Sequence, residues 1–117
     1  MGKLKHSRFD CTPGCSVEAA IGIIEGKWKS IILWHLLCDD VLRFSELRKK
    51  IPAVTQKVLT RQLRELEEDK IIIRKVYAQV PPKVEYRLSD LGVSLTPILT
   101  ALKEWGDKNI NLYGKSL

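Results

Sequence analysis

Residues 55–66 read Thr55-Gln56-Lys57-Val58-Leu59-Thr60-Arg61-Gln62-Leu63-Arg64-Glu65-Leu66. Leu59, Leu63 and Leu66 recur at i, i+4 and i+7, which aligns them on one face of an α-helix, and Thr55 supplies a side-chain oxygen to open it. The opposite face carries Lys57, Thr60, Arg61, Arg64 and, just beyond, Glu68. One face therefore belongs in a core, and the other meets water or a polyanion. Upstream, Arg43-Phe44 reads as a short extended piece, Ser45 as the cap of a short helix through Lys50, and Pro52 as its stop. A short helix, a turn over Ile51-Pro52-Ala53-Val54 and a longer helix with a basic outer face make a helix-turn-helix.

Downstream, Ile71 to Tyr77 is β-branched and aromatic, and Lys83 to Leu88 alternates strictly, with Val84, Tyr86 and Leu88 on one face and Lys83, Glu85 and Arg87 on the other. The connecting Ala78-Gln79-Val80-Pro81-Pro82 holds two residues without amide donors, which suits an exposed hairpin tip. A hairpin directly after a helix-turn-helix is a wing. Leu91, Leu95, Ile98, Leu102 and Trp105 then continue a helical stripe over 89–113, in which Pro97 either kinks the helix or starts a second one capped by Thr96. That stripe exceeds what so small a domain covers, so Leu95, Ile98, Leu102 and Trp105 are read as a homodimer interface, against the plainer alternative that they complete the monomer core. Upstream of the motif, Ser16 caps a short helix bearing Val17, Ala20, Ile21 and Ile24, and Gly26 interrupts it. Lys27 to Cys38 is apolar nearly all round, the mark of a helix buried on most sides. The fold class is thus α+β and mostly helical: a winged helix-turn-helix with N-terminal helices, a two-to-three-stranded wing sheet and a C-terminal dimerisation helix. Residues 1–14 form an arm, and 15–117 form one domain.

The chain has 117 residues, too few for a multidomain enzyme. Hydrophobic residues make up 44% and charged residues 29%, a soluble folded composition. The most apolar run, Ile31 to Leu37, is far shorter than a membrane span, and no apolar stretch follows the basic N-terminus as a signal peptide requires, so a cytoplasmic location is expected. The net charge is +6, and it is concentrated: residues 43–87 hold twelve Lys/Arg against six Asp/Glu, while the two ends are neutral. Counterion release from phosphates favours a polyanion on that segment; a merely solvated basic surface is the bland alternative.

Duplex DNA is the expected partner. Thr55, Gln56, Lys57, Thr60 and Arg61 lie on the first two turns of the basic helix, where side chains reach base edges in the major groove. Gln56 suits adenine, Lys57 or Arg61 suits guanine, and Arg64 lies where a phosphate would be. Gln79 and Lys83 on the wing, with Lys75 before it, are candidates for the minor groove or flanking backbone, and Arg43 and Ser45 for further phosphates. The alternative for the helix is a solvated face knitted by Arg61–Glu65 and Arg64–Glu68 pairs. Three cysteines do not make a disulfide framework. Cys38 ends the most apolar helix and reads as a small buried hydrophobe. Cys15 precedes the first helix, where backbone amides favour a thiolate and hence oxidant chemistry; it is equally an ordinary cysteine near a chain end. Cys11 is placed to resolve an oxidised Cys15, or the two subunits cross-link. His6, Cys11 and Cys15 could supply three metal ligands but lack a second paired cluster, so no metal and no cofactor is expected. With only His6 and His35, no phosphate-binding glycine loop and no carboxylate cluster, no catalytic constellation is present.

Several stretches in order resemble the HxlR-type transcriptional regulators, a branch related to the MarR-type winged helix-turn-helix proteins. They are Cys15-Ser16-Val17-Glu18, Gly26-Lys27-Trp28-Lys29, Arg43-Phe44-Ser45-Glu46-Leu47-Arg48, residues 55–66, Val80-Pro81-Pro82-Lys83-Val84-Glu85-Tyr86 and Glu104-Trp105-Gly106. The resemblance implies a dimeric bacterial regulator without enzymatic activity, acting on near-palindromic operators, with Cys15 in the place of a sensor cysteine. Three departures stand out: Arg61 where many relatives have Gln, Lys70 in place of the usual Gly after Asp69, and Ser16 where Pro often follows the cysteine, with Cys11 an additional thiol. The reading is therefore a homodimeric, sequence-specific DNA-binding regulator controlled by thiol oxidation or electrophile modification at Cys15. Control by a small-molecule ligand, and a winged-helix protein-interaction module, are the alternatives.

Overall fold

The computed structural model describes residues 15–114; the expectations for the N-terminal arm, Cys11 and His6 lie outside them. Helix α1 (Ser16–Ile24) takes Cys15 rather than Ser16 as its N-cap residue, without a side-chain hydrogen bond, and none of its residues is buried. Gly26 turns the chain at φ +111°, a left-handed region that favours glycine. Helix α2 (Lys29–Asp39) buries Lys29, Ile32, Leu33 and Leu36, an i, i+3, i+4, i+7 stripe. Its other apolar residues do not all follow them: Ile31 and Cys38 are exposed. The expectation of a buried Cys38 is corrected, because two positions past Leu36 the helix has already turned that side chain off the core face.

Strand β1 (Val41–Arg43) leads into α3 (Phe44–Lys50), in which the expected cap Ser45 is the second helical residue. Arg43 is the N-cap residue, and its amide donates to Glu46 Oε1 at 2.7 Å, so Glu46 satisfies an end that Ser45 does not. Helix α4 (Gln56–Glu68) is capped as expected, with the Val58 amide donating to Thr55 Oγ1 at 3.1 Å. Its inner stripe is Leu59, Gln62, Leu63 and Leu66. It ends on Lys70 at φ 62°, so the left-handed turn survives without glycine, helped by Ile71 donating to the Leu66 carbonyl at 3.0 Å.

Strands β2 (Ile72–Tyr77) and β3 (Lys83–Leu88) form the hairpin, and β1 pairs with the far side of β3, giving an antiparallel sheet in the order β1-β3-β2. The register sets Leu42 and Arg74 on either side of Tyr86, and Val76 opposite Val84. Cross-strand partners share a face, so Leu42 and Tyr86 carry the sheet into the core. There they meet Ile32, Leu33 and Leu36 of α2, Leu47 of α3, Leu59, Leu63 and Leu66 of α4, and Leu99.

The C-terminal stripe is divided. A short α5 (Asp90–Val93) is capped by Ser89, whose Oγ accepts from Gly92 at 3.0 Å and lies 2.7 and 2.9 Å from the Lys70 and Ile71 carbonyls. Gly92 packs against the Ile71 carbonyl so closely that a Cβ would run into it. Helix α6 (Thr96–Asn109) follows with Pro97 in its first turn and Leu95 as its N-cap residue, and a 3-10 turn closes Ile110–Tyr113. Pro97 thus starts a helix and does not kink one. Thr96 is its first residue, its hydroxyl donating to the Val93 carbonyl at 2.6 Å. No helix among the described residues is long and apolar enough to cross a membrane.

Candidate nucleic-acid interface

The packing of α4 determines what it offers outward. With Leu59, Leu63 and Leu66 in the core, the 3.6-residue period leaves Gln56, Lys57, Thr60, Arg61 and Arg64 exposed together along one open face. The two intrahelical pairs that would have reduced this face to solvated decoration are absent among the described residues. Arg64 forms no ion pair with Glu68, and Glu65 turns instead to Lys29 of α2, its Oε1 2.7 Å from Nζ. Lys57, Arg61 and Arg64 therefore present their charges to solvent unpaired among the described residues. The Lys29 ammonium, by hydrogen bond and by charge, holds the Glu65 carboxyl below its ordinary value.

Between α4 and the sheet runs a groove of about 450 Å³ lined by Gln56, Thr60, Arg64, Glu67, Arg74 and Tyr86, among others. Arg74 was not among the sequence candidates. It is exposed, but its pairing with Tyr86 sets it on the sheet face that turns toward α4. The phase of β2, in which Ile72, Arg74 and Val76 alternate with Ile73 and Lys75, carried that information.

The wing differs from its expectation in one respect. Gln79 is exposed in the loop, as is Val80 beside it. Lys83, however, begins β3 and is engaged: its Nζ lies 3.3 Å from Glu85 Oε2 and 4.6 Å over the Tyr77 ring. Tyr77 donates its hydroxyl to Glu85 Oε1 at 3.0 Å, and Lys75 approaches the same ring at 4.9 Å. Glu85 is held below the usual carboxylate range, first by the Tyr77 hydrogen bond and then by Lys83. Arg43 and Ser45 are exposed at the start of α3.

Of the remaining candidates, Cys15 is a half-buried free thiol at the start of α1, and Cys38 is a second free thiol, exposed at the end of α2. Leu95 packs partly against the core, whereas Ile98, Leu102 and Trp105 stand about half exposed on α6. No group of His, Cys, Asp and Glu among the described residues is arranged to hold a metal.

Comparison with known proteins places this architecture. The HxlR-like helix-turn-helix family matches residues 23–113. The chain belongs to that family. The HTH-type transcriptional regulator YdeP of Bacillus subtilis strain 168, itself uncharacterized, is 55% identical over 95 residues, 81% of this chain and 73% of YdeP. The solved structure of the redox regulator HypR in its reduced form matches with a TM-score of 0.81 at 48% identity, covering 86% of this chain and 98% of that one. HypR in its oxidised form matches with a TM-score of 0.77 at 52% identity, covering 81% and 97%. This HxlR-like chain is a winged helix-turn-helix transcriptional regulator and not an enzyme. The core stripe of α4, the Thr55 cap and the alternation of β3 that located the motif in the sequence all fall inside the matched span.

Proposed function

We propose that this HxlR-like protein binds duplex DNA as a homodimer, on a near-palindromic operator, and that modification of the Cys15 thiol by an oxidant or electrophile alters that binding. The observation that carries the DNA reading is the outward face of α4, where Gln56, Lys57, Thr60, Arg61 and Arg64 stand together with their cations unpaired among the described residues. On this reading Gln56, Lys57 and Arg61 meet base edges, Thr55 and Thr60 flank them, and Arg64, Arg43 and Ser45 meet phosphates. Gln79 and Lys83 meet the backbone beside the wing. Two copies joined through the exposed apolar residues of α6 would present two such helices about one turn of DNA, ~34 Å, apart. Cys15 is favoured as the sensing thiol by its place at the start of α1 and by the likeness to HypR, a redox regulator.

The test begins with selection of a preferred site from a random duplex library. Fluorescence anisotropy then measures affinity for that site over a salt series, reduced and after peroxide treatment, for the wild type and Cys15→Ser. Steep loss of affinity with salt, and a peroxide response that disappears in Cys15→Ser, are expected. Absence of any preferred site overturns the DNA reading, and a peroxide-indifferent wild type overturns the role of Cys15 alone. Binding without salt dependence would favour a protein-interaction module.

A further inference from the structure

Lys29 is 7% exposed and, with Gln62, one of two buried polar residues among the described residues, in a core that is otherwise apolar. A buried ammonium is costly unless it is paired and hydrogen-bonded. Its one ion pair among the described residues is with Glu65, reached across the α2–α4 contact at 2.7 Å, with the lysine side chain 8% exposed and the glutamate 44%. Glu65 had another cation within reach. Arg61 stands one helical turn before it on the same helix, close enough to help depress the Glu65 carboxyl, yet forms no ion pair or hydrogen bond among the described residues. The competition is uneven. An exposed pair four residues apart with the cation on the N-terminal side is weak, whereas withdrawing Glu65 from Lys29 would strand a buried charge.

From this we infer that Lys29 is a positioning residue for nucleic-acid recognition: by holding Glu65 against α2, it leaves the Arg61 guanidinium unengaged and available to DNA. The inference rests on the proposed contact of Arg61 with DNA. It gives a function to a buried charge that packing alone would have replaced with a methionine or leucine. In the absence of Lys29, the Glu65 carboxylate is free to fold back one turn onto Arg61, and that pair must be broken for each half-site engaged.

The experiment is a mutant cycle read as affinity for the selected operator, with folding checked by circular dichroism and thermal melting. Lys29→Met is expected to weaken binding about two- to fivefold per half-site, the cost of breaking an exposed ion pair. Lys29→Met with Glu65→Gln is expected to restore affinity, since the competing carboxylate has gone and the net charge returns to that of the wild type. In an Arg61→Ala background, Lys29→Met should change nothing. A plain staple between α2 and α4 predicts the reverse: the double variant stays weak, and the loss persists without Arg61. Either of those results, or unchanged affinity in a folded Lys29→Met, overturns the inference. Lys29→Gln, which keeps a donor but not the charge, is the substitute if the methionine variant does not fold. The reading beneath it fails separately: Arg61→Ala that binds the operator as the wild type does removes Arg61 from the interface.

Discussion

At the residue scale, two cations of similar promise in the sequence have different environments in the structure. Arg61 forms no ion pair among the described residues, and Arg61→Ala should weaken operator binding by about 1–3 kcal/mol and relax preference at one base position, measured by anisotropy on a panel of single-base variants. Lys83 is engaged with Glu85 and the Tyr77 ring. Lys83→Ala should therefore lower the salt slope by less than the full unit expected of an unpaired phosphate contact, and Glu85→Gln should steepen it. The Glu65 carboxyl is held below its ordinary value by Lys29. A carboxyl depressed in the fold adds stability above its unfolded pKa and loses it as pH falls through the folded value. The stability difference between the wild type and Glu65→Gln, followed by urea denaturation, should be present at pH 7 and shrink as pH falls below about 4.5. The α4 candidates were legible because they lie opposite a leucine stripe, a relation internal to twelve residues. Arg74, the engagement of Lys83 and the burial of Lys29 were not, since each depends on partners from another element.

At the element scale, caps decide boundaries. Thr55→Ala removes the acceptor for the Val58 amide and should cost about 1 kcal/mol. The opposite end of α4 offers an improvement: Lys70 holds φ 62°, which strains a side chain but not glycine. Lys70→Gly should raise stability by about 0.5–1 kcal/mol, read with Thr55→Ala in one set of thermal melts. The Thr55 and Pro52 ends were legible from turn chemistry, whereas the Asp69-Lys70 step stood out only through the family resemblance. Strand β1 was half legible, because three residues show no two-residue period. Only its pairing with β3, Val41 to Arg87, Leu42 to Tyr86 and Arg43 to Glu85, makes that segment part of the sheet. The start of α6 was open between a kink and a new helix, and the break after Val93, where the Thr96 hydroxyl meets the Val93 carbonyl, decides it.

At the scale of the whole molecule, apolar surface stands exposed among the described residues: Val17 and Ile21 on α1, and Ile98, Leu102 and Trp105 on α6, with Trp105 56% exposed. Exposed patches of this kind mark association surfaces. On the proposed homodimer, Leu102→Glu should shift sedimentation velocity from dimer to monomer and reduce operator affinity steeply while leaving the circular dichroism of the monomer intact. Of the stripe read in the sequence, Ile98, Leu102 and Trp105 are exposed, while Leu95 packs partly against the core at the α6 cap. The sheet order has a different consequence for the molecule in a crowded solution. With β3 in the centre, β2 runs six residues along the margin of the sheet, the backbone donors and acceptors not paired with β3 facing outward, with Ile73 and Val76 exposed on it. Such a margin is a template for stacking one copy's strand on the next. Arg74 and Lys75 sit between those two hydrophobes, and their mutual repulsion guards against edge-to-edge aggregation. A variant stripped of wing cations to silence DNA binding would therefore also lose its gatekeepers and become prone to forming fibres.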